Sequence, residues 1–254
     1  MKLLRQMSPE TNSNSNALAR KIGATPLRTV PFGHIYHEQI FPMRLYREIL
    51  RQLPDSRFYD ELRHPDALQP DGSSARLSFN LYSENIRRLP VMQREFWRML
   101  TREMTAPEVE AAFKAKFKKI LEEHCQRKLE KIKLRPWPML LRDIAGYQIS
   151  IHPDVPQKAI TTQYYLPEDE NQKQLGTVLH ERLPGGGFNE ICTLPFLPDS
   201  GYAFPVTTES WHSVKVMNTN GPPRNSLMVT YFYDRGWVVE GFRKLVRRLR
   251  EMRH

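Results

Sequence analysis

The chain has 254 residues, and its 38 Lys and Arg outnumber its 28 Asp and Glu, which gives a formal net charge of +10. Hydrophobic residues make up 40% of the sequence, a share that excludes a disordered or collagen-like chain. Two cysteines cannot form a disulfide framework, so we expect a reducing, cytoplasmic location. No stretch approaches the roughly 20 apolar residues of a membrane span. The positive charge suits nucleic acid, an anionic membrane surface or an acidic small molecule.

The first half of the chain has the pattern of helices after a polar start. Residues 8–16 read SPETNSNSN and offer nothing to bury, so we predict a loose tail over residues 1–24. Apolar residues at helical spacing predict a helix from Pro42 to about Leu53. The same spacing, more strongly marked, predicts a long amphipathic helix from Glu108 to Leu134, broken at most once. Residues 25–134 are therefore expected to be mainly helical support.

From Arg135 the pattern changes to that of strands. Alternating or β-branched runs such as YQISIHPD, ITTQYYL and NSLMVTYFY are separated by turns rich in Pro and Gly. Short strands without helices between them predict an antiparallel barrel or a double-sheet jelly roll over residues 135–234. A basic helix is predicted over residues 235–254. The predicted fold class is α+β with a mainly β core, and we expect one domain.

Three residues of the β half have the chemistry of a metal site. His152 and Asp154 are two residues apart at the end of a predicted strand, and side chains at that spacing share one face. His212 opens a later strand-like run, WHSVKVM. Two imidazoles and one carboxylate, with the other positions of the ion open, are the ligand set of non-haem Fe(II) oxygenases. A second HPD triplet, at residues 64–66, lies in a polar stretch with no strand before it, and we interpret it as a turn.

A cation on the last predicted strand indicates a second ligand. Arg224 and Ser226 open the run RNSLMVTYFY and share one face by the same two-residue rule. An arginine buried inside a barrel needs an anion. The carboxylate of a dicarboxylate cosubstrate would supply that anion, and the serine hydroxyl could share it.

Together these residues resemble the Fe(II)/2-oxoglutarate-dependent dioxygenase superfamily, in its prolyl-hydroxylase-like branch. The matching pieces are HPD at 152–154, TTQYYLPED at 161–169, LGT at 175–177, WHSV at 211–214 and RNS at 224–226. The resemblance implies a double-stranded β-helix, of the jelly-roll or cupin type, flanked by N-terminal and connecting helices. It implies that His152, Asp154 and His212 bind iron. It also implies that Arg224, with Ser226, binds the distal carboxylate of 2-oxoglutarate.

The resemblance extends to the next strand and to the reaction. Thr161 and Tyr165 match positions that line the cosubstrate pocket in relatives, whereas the neighbouring Tyr164 should point the other way. The implied reaction uses Fe(II), 2-oxoglutarate and O₂ to hydroxylate a C–H bond, with release of succinate and CO₂. Related halogenases have a small residue in place of the carboxylate, so Asp154 favours hydroxylation.

The substrate is open to several interpretations. The net charge favours an anionic substrate, and the layout resembles hydroxylases acting on the acidic sugar Kdo of lipopolysaccharide at the inner membrane face. Such a protein could also contact an anionic membrane surface peripherally. Hydroxylation of an amino acid or peptide is the alternative. Nucleic-acid demethylases are disfavoured because Thr230 stands where they carry a second arginine. A different class is a non-catalytic basic module that binds nucleic acid in a salt-sensitive way.

Overall fold

The structure is a computed structural model that describes residues 11–217 and 221–234. The basic helix predicted over residues 235–254 lies outside these residues. Within the described ranges, no helix combines the length and the apolar character that a bilayer crossing requires.

In the described residues, six α-helices precede the β-rich part. They are α1 (Thr11–Ala24), α2 (Met43–Arg51), α3 (Ser83–Ile86), α4 (Val91–Met104), α5 (Pro107–Lys116) and α6 (Lys118–Cys125). Short 3-10 helices lie at Ser56–Phe58, Pro65–Ala67, Leu129–Lys131 and Glu170–Leu175. The helix predicted after Pro42 is confirmed as α2, which buries Leu45, Tyr46 and Ile49 at helical spacing.

The long helix predicted from Glu108 to Leu134 is interrupted. α5 ends and α6 begins at Phe117, a fully buried residue whose φ of −103° and ψ of 16° depart from helical values. α6 then ends where Gln126 adopts a left-handed φ of 51°. The chain passes through a 3-10 turn and enters a strand at Leu134. The amphipathic pattern therefore continues beyond the end of the helix.

The structure contradicts the predicted loose tail for residues 11–24, because Thr11–Ala24 form α1, and residues 1–10 of that prediction lie outside the described residues. Leu18 and Ile22, four residues apart, are buried in the core shared with the other helices. The Ser15 hydroxyl donates a hydrogen bond of 2.6 Å to Glu108 in the first turn of α5. The polar composition of this segment does not indicate a helix. The helix is stabilised by a few apolar side chains that pack on the core, rather than by the intrinsic helix propensity of its residues.

Replacing Ile22 by alanine should lower the free energy of unfolding by about 2–5 kcal/mol, because a fully buried side chain leaves a cavity. Arg20→Ala, at an exposed position on the same helix, is the matched control and should change stability by less than about 0.5 kcal/mol. Urea denaturation followed by circular dichroism measures both values. Equal stability of the Ile22 variant and the wild type would mean that α1 is not docked on the core.

The described residues also include eleven strands in two antiparallel sheets. The strands are β1 (Ile35–Glu38), β2 (Asp60–Glu61), β3 (Arg76–Asn80), β4 (Leu134–Asp143), β5 (Ile149–His152), β6 (Lys158–Tyr165), β7 (Thr177–Arg182), β8 (Phe188–Leu194), β9 (Ser200–Pro205), β10 (His212–Val214) and β11 (Arg224–Tyr233). The larger sheet has the order β1-β9-β6-β11-β4-β3-β2, and the smaller has the order β5-β10-β7-β8. Strands β4 to β11 occupy the part of the chain where the sequence predicts strands.

Three strands come from residues 25–134, which were expected to be mainly helical. β1 pairs with β9 at one edge of the larger sheet, and β3 and β2 extend the other edge beyond β4. These strands have only four, two and five residues, too few for a clear alternating pattern in the sequence. The N-terminal part therefore completes the larger sheet as well as supporting it.

The larger sheet packs against a different layer on each face. Tyr164, Leu227 and Val229 pack with the helices. Tyr165 and Tyr202 belong to a second core, which includes residues of the smaller sheet. The adjacent residues Tyr164 and Tyr165 thus point to opposite layers, as predicted from strand alternation. Two facing antiparallel sheets flanked by helices enclose a space in which the candidate site lies.

Candidate functional site

The three predicted metal ligands come together on the smaller sheet. β10 pairs with β5 so that His212 lies directly opposite His152, and directly opposed residues project from the same face. The centroids of the two imidazole rings are 4.4 Å apart. Asp154 follows two residues after β5, and one ligand atom from each of the three residues lies within 4.8 Å of the other two. These three side chains could therefore hold a single metal ion.

Both imidazoles are oriented by the same kind of backbone contact. Nδ1 of His152 lies 2.9 Å from the carbonyl oxygen of Ser150, and Nδ1 of His212 lies 2.9 Å from that of Ser210. A carbonyl oxygen only accepts, so Nδ1 donates in each ring and Nε2 keeps a free lone pair. Burial lowers the pKa of His212 to about 4, which keeps this ring neutral at neutral pH. A neutral imidazole with one nitrogen anchored is the form that binds a metal ion.

Asp154 is held as a carboxylate by two neighbours on β6. Nζ of Lys158 lies 2.5 Å from one carboxylate oxygen, and the hydroxyl of Thr161 donates to the other at 2.6 Å. Burial by itself would raise the pKa of Asp154, but Lys158 and the nearby His212 outweigh burial and hold the pKa well below its usual range. The structure thus gives Thr161, which was predicted to line the cosubstrate pocket, a contact with a candidate metal ligand.

Arg224 lies in a row of three charged residues that crosses three neighbouring strands. Asp143 on β4 lies directly opposite Arg224 on β11 and directly opposite Arg76 on β3. Nη1 of Arg224 donates to the Asp143 carboxylate at 2.8 Å, and Nε of Arg76 donates to it at 2.7 Å. The side chains of Arg224 and Asp143 are fully buried, and that of Arg76 is 14% exposed. The sequence predicted a cosubstrate carboxylate as the anion beside Arg224. The structure shows that Arg224 also pairs with a carboxylate of the protein, that of Asp143.

One nitrogen of the Arg224 guanidinium is unpaired. Its Nε donates to the carbonyl oxygen of Leu175 at 2.7 Å, and Nη1 is taken by Asp143, but the buried Nη2 has no hydrogen bond to any described residue. The guanidinium carbon lies 5.3 Å from the ring centroid of Tyr165 and 4.9 Å from that of Phe196. An unsatisfied buried donor costs roughly 1–3 kcal/mol, and more when it is charged. A carboxylate placed at Nη2 would remove this penalty.

Ser226 and Tyr165, both assigned to the cosubstrate, lie directly opposite each other on β11 and β6. The Ser226 hydroxyl accepts a hydrogen bond of 2.6 Å from Gln163, whose side-chain oxygen accepts one of 2.7 Å from Tyr202. The hydroxyl proton of Ser226 therefore remains available to an acceptor. The Tyr165 hydroxyl donates to Thr177 at 2.9 Å, and the Tyr165 ring centroid lies 5.3 Å from the guanidinium carbon of Arg224.

The candidate metal ligands and Arg224 open into the same space between the sheets. Phe204 and Thr161 lie opposite each other on the larger sheet. The ring of Phe204 is 4.9 Å from that of His212, and Thr161 is bonded to Asp154. The metal ligands on the smaller sheet therefore face the inner side of the larger sheet, the side that also carries the Arg224 row.

The second HPD triplet forms the predicted turn, a 3-10 helix at Pro65–Ala67, and it contacts the candidate metal site. The carboxylate of Asp66 accepts the backbone N–H of Ser150 on β5 at 2.6 Å. The ring centroids of His64 and His152 are 6.5 Å apart. The sequence assigned no function to this triplet, because only the tertiary fold brings these distant segments together.

His37, outside the candidate site, is buried on β1 against Tyr164, with the two ring centroids 5.8 Å apart. Neither ring nitrogen has a hydrogen-bond partner within the described part of the chain. Burial, assisted by the charge of Lys21, lowers the pKa of His37 to about 3. Because an imidazole in an unfolded chain has a pKa near 6.5, His37 links folding to pH.

Acidification should destabilise the protein through His37, and His37→Phe should remove this effect. Between pH 6.5 and pH 3 the unfolded chain binds a proton at this residue that the folded chain excludes. The free energy of unfolding therefore falls by about 1.4 kcal/mol per pH unit, or about 3 kcal/mol down to pH 4. Urea denaturation at pH 7 and pH 4 measures the difference. The exposed His124→Phe control should keep the wild-type pH dependence, and an unchanged dependence in His37→Phe would contradict the assignment.

No protein-family model and no curated protein matches the chain, but solved structures do. One is a Trichoplax adhaerens prolyl hydroxylase in complex with a peptide fragment of the hypoxia inducible factor oxygen degradation domain. It matches with a TM-score of 0.54 and 14% identity, over 90% of this chain and 93% of that chain. Another is a Pseudomonas putida prolyl-4-hydroxylase, with a TM-score of 0.54 and 15% identity, over 86% of this chain and 100% of that chain. The fold is that of the prolyl hydroxylases. The predicted double-stranded β-helix is thereby confirmed.

Proposed function

We propose that the chain is an Fe(II)- and 2-oxoglutarate-dependent oxygenase that hydroxylates a C–H bond. The observation that carries this proposal is the convergence of His152, Asp154 and His212 on the inner side of a prolyl-hydroxylase-like β-helix. Two imidazoles and one carboxylate are the donor set of non-haem Fe(II) oxygenases, and three protein ligands leave positions open.

The residues around the site also fit a dicarboxylate cosubstrate. Arg224 offers a buried Nη2 without a partner in the described residues, and Ser226 offers a free hydroxyl proton. Both groups suit the distal carboxylate of 2-oxoglutarate. With O₂, the bound iron and 2-oxoglutarate would supply the oxidising chemistry, and succinate and CO₂ would be released.

The protein's own residues would bind, orient and exclude water. Lys158 and Thr161 keep Asp154 ionised and fixed in place, so it needs no proton loss to bind a cation. Arg224 would fix one end of the cosubstrate and thereby its orientation toward the ion. The rings of Phe196 and Phe204 line the space between the sheets and limit its water content.

For the substrate, we propose an anionic molecule, such as the acidic sugar Kdo of lipopolysaccharide or another lipid-linked sugar. The net charge of +10 supports this, since opposite charge raises encounter rates. Residues 235–254 alone carry seven Lys and Arg against two Glu. A cytoplasmic enzyme acting on such a sugar could rest peripherally on an anionic membrane surface, and binding of nucleic acid is not part of this proposal.

Hydroxylation of a peptide is the second candidate. The observation that favours it is that the two solved structures described above are prolyl hydroxylases, one of them in complex with a peptide fragment. The two candidates differ in the substrate that should accelerate turnover. A proline-containing peptide should stimulate one activity and a Kdo-containing glycolipid the other.

Succinate formation tests the proposed chemistry. Anaerobic addition of Fe(II) and 2-oxoglutarate should produce a weak visible charge-transfer band, and air should then yield succinate even without a substrate. The matching substrate class should increase the succinate rate. Absence of metal binding together with absence of 2-oxoglutarate turnover would contradict the oxygenase proposal. Salt-sensitive binding of any DNA duplex without iron would support the non-catalytic nucleic-acid module instead.

A further inference from the structure

We infer that Arg76 is a positioning residue for the cosubstrate, because this largely buried arginine supplies the second positive charge that lets Arg224 bind a carboxylate despite its ion pair with Asp143. The inference rests on the proposed function and deepens it. It concerns a residue of the N-terminal part of the chain, to which neither the sequence pattern nor the family resemblance assigned a role.

The charge of the cluster formed by Arg76, Asp143 and Arg224 carries the argument. Two guanidinium groups share one carboxylate, so the cluster has a net charge of +1. A bound carboxylate would make it neutral. Without Arg76 the pair of Arg224 and Asp143 would already be neutral. An added carboxylate would then leave an uncompensated negative charge in a buried site, which is strongly unfavourable.

The geometry shows how Arg76 leaves Arg224 available. Nε and Nη2 of Arg76 donate to the two oxygens of Asp143 at 2.7 and 3.2 Å, whereas Arg224 contacts this carboxylate through Nη1 at 2.8 Å. Arg76 thus engages both carboxylate oxygens, whereas Arg224 uses a single nitrogen for this ion pair. The Arg76 guanidinium is itself fixed above the ring of Tyr147, 4.3 Å from its centroid. Nη2 of Arg224 thus stays unpaired among the residues that the structure describes.

A purely structural ion cluster would have different features. Burying a charged group costs several kcal/mol, and only full pairing with complete hydrogen bonding compensates for that loss. A cluster that served stability alone would be expected to be neutral, with every donor satisfied. The observed cluster has an excess charge and an unpaired donor, as a site awaiting an anion would.

The test compares Arg76→Gln with the double variant Arg76→Gln/Asp143→Asn, which restores the net charge of +1. Each protein is loaded with Fe(II) without oxygen, and isothermal titration calorimetry measures its affinity for 2-oxoglutarate. We expect Arg76→Gln to weaken binding by about 10–100-fold, the range of one lost charged contact. The double variant should recover most of that affinity although it has lost two charged groups. The KM for 2-oxoglutarate should follow the same order, with kcat at saturation changed little.

Two further variants complete the design. Arg76→Lys keeps the charge and should stay within a few-fold of the wild-type affinity. Arg142→Gln is the matched control, because residue 142 is adjacent to Asp143 on β4 and projects to the opposite face; it should bind 2-oxoglutarate normally. Wild-type affinity in folded Arg76→Gln, or a double variant that binds no better than Arg76→Gln, would overturn the inference. Failure of the wild type itself to bind Fe(II) and 2-oxoglutarate would instead contradict the proposed function.

Discussion

Replacing His212 by alanine should abolish the Fe(II)/2-oxoglutarate charge-transfer band and succinate formation while leaving the protein folded. The ring supplies one of three converging ligand atoms, and its Nδ1 is already used by the carbonyl of Ser210. Loss of an outer partner of a metal ligand costs about 10–100-fold in affinity or activity, so loss of a ligand itself should cost more. Anaerobic absorption titration and a succinate assay measure the two effects.

His180→Ala is the control for this experiment. His180 is another buried histidine, on β7 beside the residue that pairs with His212, and its Nε2 contacts Ser213 rather than the metal group. This variant should retain the band and succinate formation, while melting temperatures verify folding of both proteins. Wild-type succinate formation in His212→Ala would remove this residue from the metal site.

Arg224→Gln should raise the KM for 2-oxoglutarate by about 100-fold or more and leave iron binding intact. The substitution removes a buried charge together with the unpaired Nη2, and hydrogen bonds to charged groups contribute about 1.5–3 kcal/mol each. What remains is a neutral pair of Arg76 and Asp143, which has no excess charge for a carboxylate. Steady-state kinetics with varied 2-oxoglutarate and Mn(II) binding by electron paramagnetic resonance separate the two effects.

Arg224→Lys is a second variant for the same measurement, in case Arg224→Gln is unstable. A lysine keeps the charge but not the planar fork of donors, so the KM should lie between those of the wild type and Arg224→Gln. Arg142→Gln again serves as the control on the opposite face of the sheet. An unchanged KM in both Arg224 variants would mean that the cosubstrate binds elsewhere.

The pairing of His152 with Asp154 could be predicted from the sequence because its signal is local. His152 and Asp154 are two residues apart at a strand end, and this spacing alone places them on one face. His212 was added to this group through the family resemblance, and strand pairing places it directly opposite His152. The same two-residue rule correctly separated Tyr165, which faces the smaller sheet, from Tyr164, which faces the helices.

The partners of Arg224 could not be predicted, since they depend on strand order and register. Asp143 is 81 residues before Arg224, and Arg76 is 67 residues before Asp143. No local pattern brings such segments together, and β3 itself is too short to show an alternating pattern. The contact between Lys158 and Asp154, in contrast, could have been predicted from the sequence. Lys158 lies only four residues after Asp154, and a cation this close to a predicted carboxylate ligand indicates an ion pair.

The helix α1 shows a different limit of sequence analysis. Its first residues are polar, and local composition indicated a tail. Its stability comes from Leu18 and Ile22, which pack against helices that are distant in the sequence. Helix propensity and composition describe a segment without its tertiary contacts. In α1 those contacts stabilise the helix.

The edge position of β5 affects how readily the candidate metal site opens. Of the strands described, it lies at the edge of the smaller sheet, pairs with β10 alone and is further held by the Asp66 contact to Ser150. Its backbone amides should therefore exchange with deuterium faster than those of β6 and β11, which have neighbours on both sides. An ion bound by both His152 and His212 would fasten this edge to β10 and slow that exchange. Ion binding would thus favour the closed state of β5, and local opening of β5 would favour release of the ion.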